Sequence, residues 1–272
     1  MAADLRIGIS GWVYPAWRGV FYPKGLRQRD ELAYASSHLT SIEVNGSFYS
    51  LQKPTSWQSW RDGTPDDFLF SVKGPRFITH IKRLRDARLP LANFLASGVL
   101  ALGPKLGPLL WQLPATFRFD PDVLDAFLAM LPRTTTQALA FATEREERME
   151  GREWLGPVEE RPLRHAFEVR SHTFDDPAWT ELLERHRVAS VLADTAGRYP
   201  RFEQQTADFS YVRLHGDEEL YVSGYDDDAL DAWAARIRPW LAAGRDTYVY
   251  FDNDAKVRAP IDAMGLIRRL SD

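Results

Sequence analysis

The chain has 272 residues, of which 44% are hydrophobic and 26% charged, a balance typical of a globular protein with a sizeable core. The net charge of −4 excludes a chain-wide attraction to nucleic acid but allows a local basic patch, and the lack of cysteine excludes disulfides, thiolate metal sites and a cysteine nucleophile. We expect a cytoplasmic protein, because no secretory signal is visible and no apolar run reaches the roughly 18 residues of a membrane span.

Eight short apolar runs recur along the chain and predict eight β-strands. In chain order they cover residues 6–12, 41–49, 68–75, 108–114, 165–171, 190–195, 211–216 and 247–254. Longer amphipathic or polar stretches separate the runs, which indicates parallel strands covered by helices. Eight such units predict a single α/β domain over residues 1–272, folded as a closed (β/α)8 TIM barrel, with an open doubly wound sheet as the alternative.

Several of the intervening stretches carry helix signals. Asp120 and Asp176 each precede a proline, and this pairing suits an N-cap followed by the first helical position. Residues 227–244 have a helical apolar period, in which Pro239 is expected to kink the helix or lie in its last turn, with Gly244 at the C-terminal end. Residues 259–270 predict a closing helix.

The stretch between the fourth and fifth strands is the least regular part of the pattern. Residues 143–162 are charged and aperiodic, which predicts an exposed excursion from the barrel. The apolar residues 138–143 just before it suit an extra strand, which would spoil the count of eight.

Polar side chains recur in the C-terminal halves of the predicted strands. Residues two apart on a strand share a face, and four runs carry polar pairs at this spacing: Glu43/Asn45, Ser71/Lys73, Glu168/Arg170 and Arg213/His215. Gln112, Asp194 and Asn253 lie near the ends of three other runs. The C-terminal strand ends of a TIM barrel form the active-site mouth, so these residues predict a functional pocket. Structural ion pairs inside the barrel are the alternative.

Two loops add candidate ligand contacts. The loop after the first strand is rich in aromatic residues, which suits either stacking on a sugar ring or base, or a small hydrophobic cluster; they are Trp12, Tyr14, Trp17, Phe21 and Tyr22. His80 lies in a cation-rich stretch whose natural partner is an anion. We expect His38, His165 and His186 at the surface or at helix ends.

The segments ISGWVYPAWRGVFYP, SIEVNGSFY, FSVKGPRFITH, HAFEVRSHTF, YVRLHG and YVYFDND together resemble the DUF72 family, also called YecE-like proteins. The resemblance covers nearly the whole chain and implies a TIM barrel, but no reaction, because the family is named for an unknown function. It implies that the family's motif positions fall on Trp12, Glu43, Asn45, Tyr49, Lys73, His80, Gln112, Glu168, Arg170, Asp194, Arg213, His215 and Asn253. Related sequences have a histidine where this chain has Ser171, so His172 does not simply take over that role.

These residues favour an enzyme that acts on an anionic small molecule bearing phosphate or carboxylate, with a sugar as one candidate. The cations expected to hold the anion are Lys73, Arg170 and Arg213. The candidates for acid–base catalysis are Glu43, Glu168, Asp194 and His215. Further contacts are expected from Trp12, Asn45, Tyr49, His80, Gln112 and Asn253. Hydrolysis, isomerisation and lyase chemistry all fit, and on this hypothesis Glu168→Gln abolishes activity while the melting temperature stays nearly unchanged.

Two alternative functions remain open. The first is a metal-dependent phosphodiesterase or nuclease-like enzyme, whose divalent ion would bind the four acid–base candidates and whose partner would be nucleic acid. Three cations compete for the same carboxylates, so no metal or other cofactor is predicted and nucleic acid is not favoured. The second is a non-catalytic barrel that binds a ligand or polypeptide at its mouth. No membrane partner is expected.

Overall fold

The computed structural model describes residues 3–271, in which eight parallel strands close into one barrel. The strands are β1 (Leu5–Ser10), β2 (Ser41–Val44), β3 (Leu69–Lys73), β4 (Leu106–Gln112), β5 (His165–Glu168), β6 (Ala189–Asp194), β7 (Phe209–Leu214) and β8 (Asp246–Phe251). Each strand pairs with its neighbours in sequence, and β8 closes the barrel on β1. The prediction of a (β/α)8 TIM barrel is confirmed, and the alternative of an open sheet is wrong.

Nine α-helices accompany the strands in this described part of the chain. They are α1 (Glu31–Ser36), α2 (Gly46–Tyr49), α3 (Pro54–Asp62), α4 (Arg88–Ala96), α5 (Pro121–Met130), α6 (Thr135–Ala142), α7 (Pro177–Arg185), α8 (Asp227–Ala242) and α9 (Arg258–Leu270). The predicted caps are confirmed, because Asp120 and Asp176 each accept a hydrogen bond from a backbone N–H of the first turn.

Helix α8 ends as its sequence predicts. It runs through Pro239 into its last turn, and Gly244 adopts a φ of 76°, in the left-handed region that glycine tolerates. With 16 residues α8 is the longest helix. Between residues 3 and 271, no helix combines the length and apolar character needed to cross a bilayer.

The region between β4 and β5 departs from one expectation. Residues 138–143 do not form an extra strand, because residues 135–142 form α6 instead. The hydroxyl of Thr134 caps this helix by accepting a hydrogen bond from the N–H of Gln137 (3.2 Å). Residues 143–162 follow as an irregular excursion, in which the N–H of Trp154 donates to the carbonyl of Ala96 at the end of α4 (2.8 Å). The excursion therefore packs on α4.

Strand alternation decides which side chains reach the barrel interior. In β7, Val212 and Leu214 pack in the layer between the barrel and its helices, whereas Tyr211 belongs to the cluster inside the barrel. In β8, Tyr250 occupies the same inner cluster. Two residues further on, the same alternation brings Asp252 to the barrel mouth.

His165 corrects the expectation that it lies at the surface or at a helix end. It lies in β5 and is fully buried. Its Nε2 donates to the carbonyl of Pro132 (2.7 Å), and its Nδ1 accepts from the indole N–H of Trp111 (3.1 Å). Burial lowers the pKa of His165 to about 3, so the imidazole is neutral at physiological pH. His38 is exposed and His186 follows α7, as expected.

We predict that His165→Phe destabilises the fold, because the buried indole N–H and the carbonyl each lose a partner. The expected loss is about 1–3 kcal/mol of unfolding free energy for each group left unpaired, measured by urea denaturation. His38→Phe, at an exposed position, is the matched control and should change stability by less than about 0.5 kcal/mol. Equal losses in the two variants would contradict this structural role.

Candidate active site

Arg213 lies at the centre of the barrel mouth and has no solvent exposure. Its Nη1 donates to Oε2 of Glu168 (2.6 Å), and its Nη2 donates to Oε1 of Glu43 (2.8 Å) and to Oδ2 of Asp252 (3.0 Å). Its Nε donates to Oε2 of Glu43 (3.1 Å). Every nitrogen of the guanidinium therefore has a carboxylate partner, which compensates the loss of hydration.

The two glutamates that bind this arginine are equally buried. Glu43 also accepts a hydrogen bond from the hydroxyl of Tyr211 (2.7 Å), and Glu168 accepts one from Nε of Arg170 (2.7 Å). Burial opposes ionisation of Glu168, but the charges of Arg170 and Arg213 outweigh it and hold the pKa well below its usual value. Both glutamates are therefore engaged by protein groups and do not line the cavity.

A cavity of about 740 Å³ adjoins this network at the C-terminal ends of the strands. Six of the residues predicted for the site line it: Asn45, Tyr49, Lys73, His80, Gln112 and Arg170. Tyr221 adds a wall from the loop after β7, where its backbone N–H donates to the carbonyl of His215. His215 itself is fully buried and does not line the cavity.

The cations on the cavity wall are incompletely paired. Lys73 forms no salt bridge or side-chain hydrogen bond with any described residue, and its Nζ lies 4.5 Å from the ring centroid of Phe48. Arg170 pairs with Glu168 through Nε and forms no second ion pair within residues 3–271. Burial and the positive charge of Lys73 lower the pKa of His80 to about 4, so this imidazole is neutral. The cavity therefore offers positive charge to a ligand.

Two aspartates on the same cavity were missed by the sequence interpretation. Asp252 Oδ2 lies 3.0 Å from Nδ1 of His215 as well as from Arg213. Burial opposes its ionisation, but these two groups hold the pKa of Asp252 below its usual range. Burial and the charge of Asp252 raise the pKa of Asp254 to about 8. Strand alternation was the available signal for Asp252, which continues the even-numbered, inward positions of β8, whereas Asp254 lies in the helical turn that follows the strand and no local signal places it on the cavity.

The same alternation excludes two predicted residues from the cavity. Asp194 accepts a hydrogen bond from the hydroxyl of Tyr225 (3.2 Å), and the amide of Asn253 donates to Asp262 in α9 (2.8 Å). Neither side chain lines the cavity. The inner positions are the residues just before them, Ala193 in β6 and the aspartate described above after β8. Asn253 instead anchors the strand end to the last helix.

The aromatic loop after β1 is mainly a hydrophobic cluster. Trp17 and Tyr22 are fully buried, and Trp12 packs edge-on against Trp60, with ring centroids 5.1 Å apart and away from the cavity lining. Tyr14 stacks on Trp17 with ring centroids 4.4 Å apart and lines the cavity. Tyr14 therefore links this cluster to the site.

Arginine occupies the space between the proposed metal ligands. Arg213 bridges Glu43 and Glu168, and Asp194 lies on the outer side of its strand. Over residues 3–271, no group of three histidine, aspartate or glutamate side chains is suited to hold a metal ion. Glu43 and Glu168, two of the carboxylates proposed as ligands, already compensate the buried guanidinium.

The fold and the site together define a TIM-barrel protein with a charged polar cavity at the C-terminal mouth. The family model for the Protein of unknown function DUF72 matches residues 6–272. The chain therefore belongs to the DUF72 family, which confirms the resemblance seen in its sequence motifs.

Curated relatives and solved structures agree with this assignment. UPF0759 protein YunF of Bacillus subtilis is 31% identical over 92% of this chain and 89% of its own length. UPF0759 protein YecE of Escherichia coli is 35% identical over 131 residues, which span 47% of this chain and 44% of YecE. A crystal structure of a DUF72 family protein from Thermotoga maritima matches with a TM-score of 0.75 at 24% identity, over 99% of this chain and 100% of that one. One from Enterococcus faecalis matches with a TM-score of 0.73 at 15% identity, over 98% and 96%. These two likenesses show the fold.

The burial of Glu168 changes the expected effect of its substitution. Because Glu168→Gln leaves two arginines short of a buried anion, we expect a loss of about 3–5 kcal/mol in unfolding free energy, measured by urea denaturation. Glu144→Gln is the matched control, since its pair with Arg88 is solvent-exposed and should be worth about 0–1 kcal/mol. A Glu168→Gln variant as stable as the control would contradict the structural role.

Proposed function

We propose that the protein is an enzyme that binds an anionic small molecule in the mouth cavity and acts on it by acid–base chemistry. The proposal rests on the presence of cations and of two unlike carboxyl groups on one cavity wall. Lys73 and Arg170 line the same cavity as Asp252 and Asp254, whose pKa values are shifted in opposite directions. Incompletely paired cations attract an anion, and two carboxyl groups with separated pKa values divide the roles of proton acceptor and proton donor.

Arg170 is the main ligand for the anion in this proposal. Glu168 fixes its orientation through Nε, and no other described carboxylate pairs with its guanidinium, whose terminal nitrogens suit a forked contact with carboxylate or phosphate. Lys73 adds a second positive charge. Arg213 was expected to be a third anion ligand, but its nitrogens are all engaged by carboxylates, so we assign it a positioning role for Glu168 and Asp252.

The two aspartates supply the acid and the base. Near neutral pH, Asp254 keeps its proton because its pKa is raised to about 8, while Asp252 is ionised. A donor and an acceptor on one cavity suit proton transfer to and from a bound substrate. Hydrolysis, isomerisation and lyase chemistry all use these parts, and Glu43 and Glu168 support the site from below without contacting the ligand.

Anion binding is tested by Lys73→Gln, which removes a charge that has no protein partner to leave behind. We expect wild-type protein to bind inorganic phosphate or L-lactate saturably, and the variant to bind about tenfold more weakly, measured by isothermal titration calorimetry. Lys24→Gln removes the same charge at an exposed position outside the cavity lining and should bind like wild type. No saturable binding of either anion by wild type would contradict the proposal, as would equal weakening in both variants.

The shifted carboxyl group is tested through the pH dependence of stability. Asp254 has a pKa of about 8 in the folded protein, against about 3.9 in an unfolded chain. Its contribution to stability is therefore fully present below about pH 4 and is lost as pH rises through about 8. We expect the unfolding free energy of wild type, relative to Asp254→Asn, to fall over this interval in urea denaturation series. Asp66→Asn, at an exposed carboxyl, is the control, and the same slope relative to it would contradict the assignment.

A further inference from the structure

Two lysines are buried in the described chain, and they differ in their partners. The ammonium of Lys105 donates to the carbonyl oxygens of Arg61 (2.6 Å) and Thr64 (2.7 Å). The amine of Lys73 has no such acceptor among residues 3–271 and lies beside the face of Phe48 on the cavity wall. A largely buried ammonium without a protein acceptor is costly, and the loss of its proton relieves that cost.

The charges around Lys73 act in both directions. Burial is the largest effect on this amine, and the neighbouring cation Arg213 adds to it, whereas Asp252, Glu43 and Glu168 act in the opposite sense. The balance lowers the pKa of Lys73 to about 8. A usable fraction of the side chain is therefore a free amine near neutral pH, and the free amine is the nucleophilic form of lysine.

We propose that Lys73 is a nucleophile that forms a Schiff base with an aldehyde or ketone bearing a carboxylate or phosphate. This inference rests on the proposed function, since Arg170 would hold the anionic group while Nζ of Lys73 meets the carbonyl carbon. The position of Lys73 at the end of β3 suits this role, because a strand end fixes the amine in the cavity more rigidly than a loop would.

The covalent step needs no cofactor. The nitrogen lone pair forms the C–N bond while the carbonyl π pair moves to oxygen, and one proton passes from nitrogen to that oxygen to give the carbinolamine. A proton from Asp254 then turns the hydroxyl into leaving water, and the nitrogen lone pair forms the C=N bond. The products are one water, a protonated imine on Lys73 and an ionised Asp254, and addition of water reverses the sequence.

Reductive trapping on the full chain tests the inference. The protein is incubated near neutral pH with sodium cyanoborohydride and either pyruvate or dihydroxyacetone phosphate, which distinguishes carboxylate from phosphate as the anionic group. Peptide mapping by mass spectrometry then measures the rate of adduct formation at each lysine. We expect Lys73 to be labelled about tenfold or more faster than any exposed lysine, and Lys105 to serve as the unlabelled buried control.

Three further arms make the result decisive. L-lactate, an anion without a carbonyl, should slow the labelling of Lys73, and Lys73→Arg should abolish the fast-forming adduct. Acetone, a ketone without charge, should label Lys73 more slowly than the anionic probes, and equal rates would overturn the anionic substrate class.

Labelling of Lys73 no faster than that of exposed lysines would overturn the inference. If phosphate or lactate still binds saturably in that case, the proposed function stands; if no anion binds, the proposed function fails as well.

Discussion

The burial of one guanidinium at the centre of the barrel is the constraint on which the rest of the site depends. Arg213 in β7 is neutralised by Glu43 from β2, Glu168 from β5 and Asp252 after β8, so its partners come from different sides of the closed barrel. An isolated charge at this depth would be prohibitively unfavourable, and removal of one partner leaves the others uncompensated. The interaction therefore couples barrel closure to the geometry of the mouth, and it specifies one register of these strands.

This coupling decides which carboxyl groups line the cavity. With Glu43 and Glu168 committed to Arg213, the carboxyl groups left on the cavity are Asp252 and Asp254. Asp252 is already ionised on this cavity, so ionisation of Asp254 would place a second negative charge beside it. That repulsion, together with burial, explains why its pKa rises while that of its neighbour falls.

Local signals in the sequence were enough to predict the barrel and much of the cavity. The apolar runs, the aspartate caps and the polar pairs two residues apart all depend on short-range rules. The predictions were wrong where contacts between residues far apart in sequence determine the position of a side chain. Asn253 was predicted in place of Asp252 because alternation gives the spacing of inward positions, while the closed barrel decides which face of β8 points inward. His165 is buried by Pro132 and Trp111, which lie 33 and 54 residues away in sequence. Nothing local reveals that Arg213 is fully paired and Lys73 is not.

The three cations of the site differ in the number of carboxylates that each contacts, and this number decides which chemistry is open to each of them. Arg213 contacts three carboxylates, Arg170 one and Lys73 none among the described residues. A fully paired cation can only position its neighbours, a partly paired one can also bind an anion, and an unpaired lysine can in addition give up its proton. Selection for stability alone would favour pairing or replacing the last of these, because a largely buried ammonium without a protein acceptor destabilises the fold. That cost at Lys73, on a cavity with two acidic groups, is the physical reason to treat the mouth as a functional site and not merely as a structural ion-pair network.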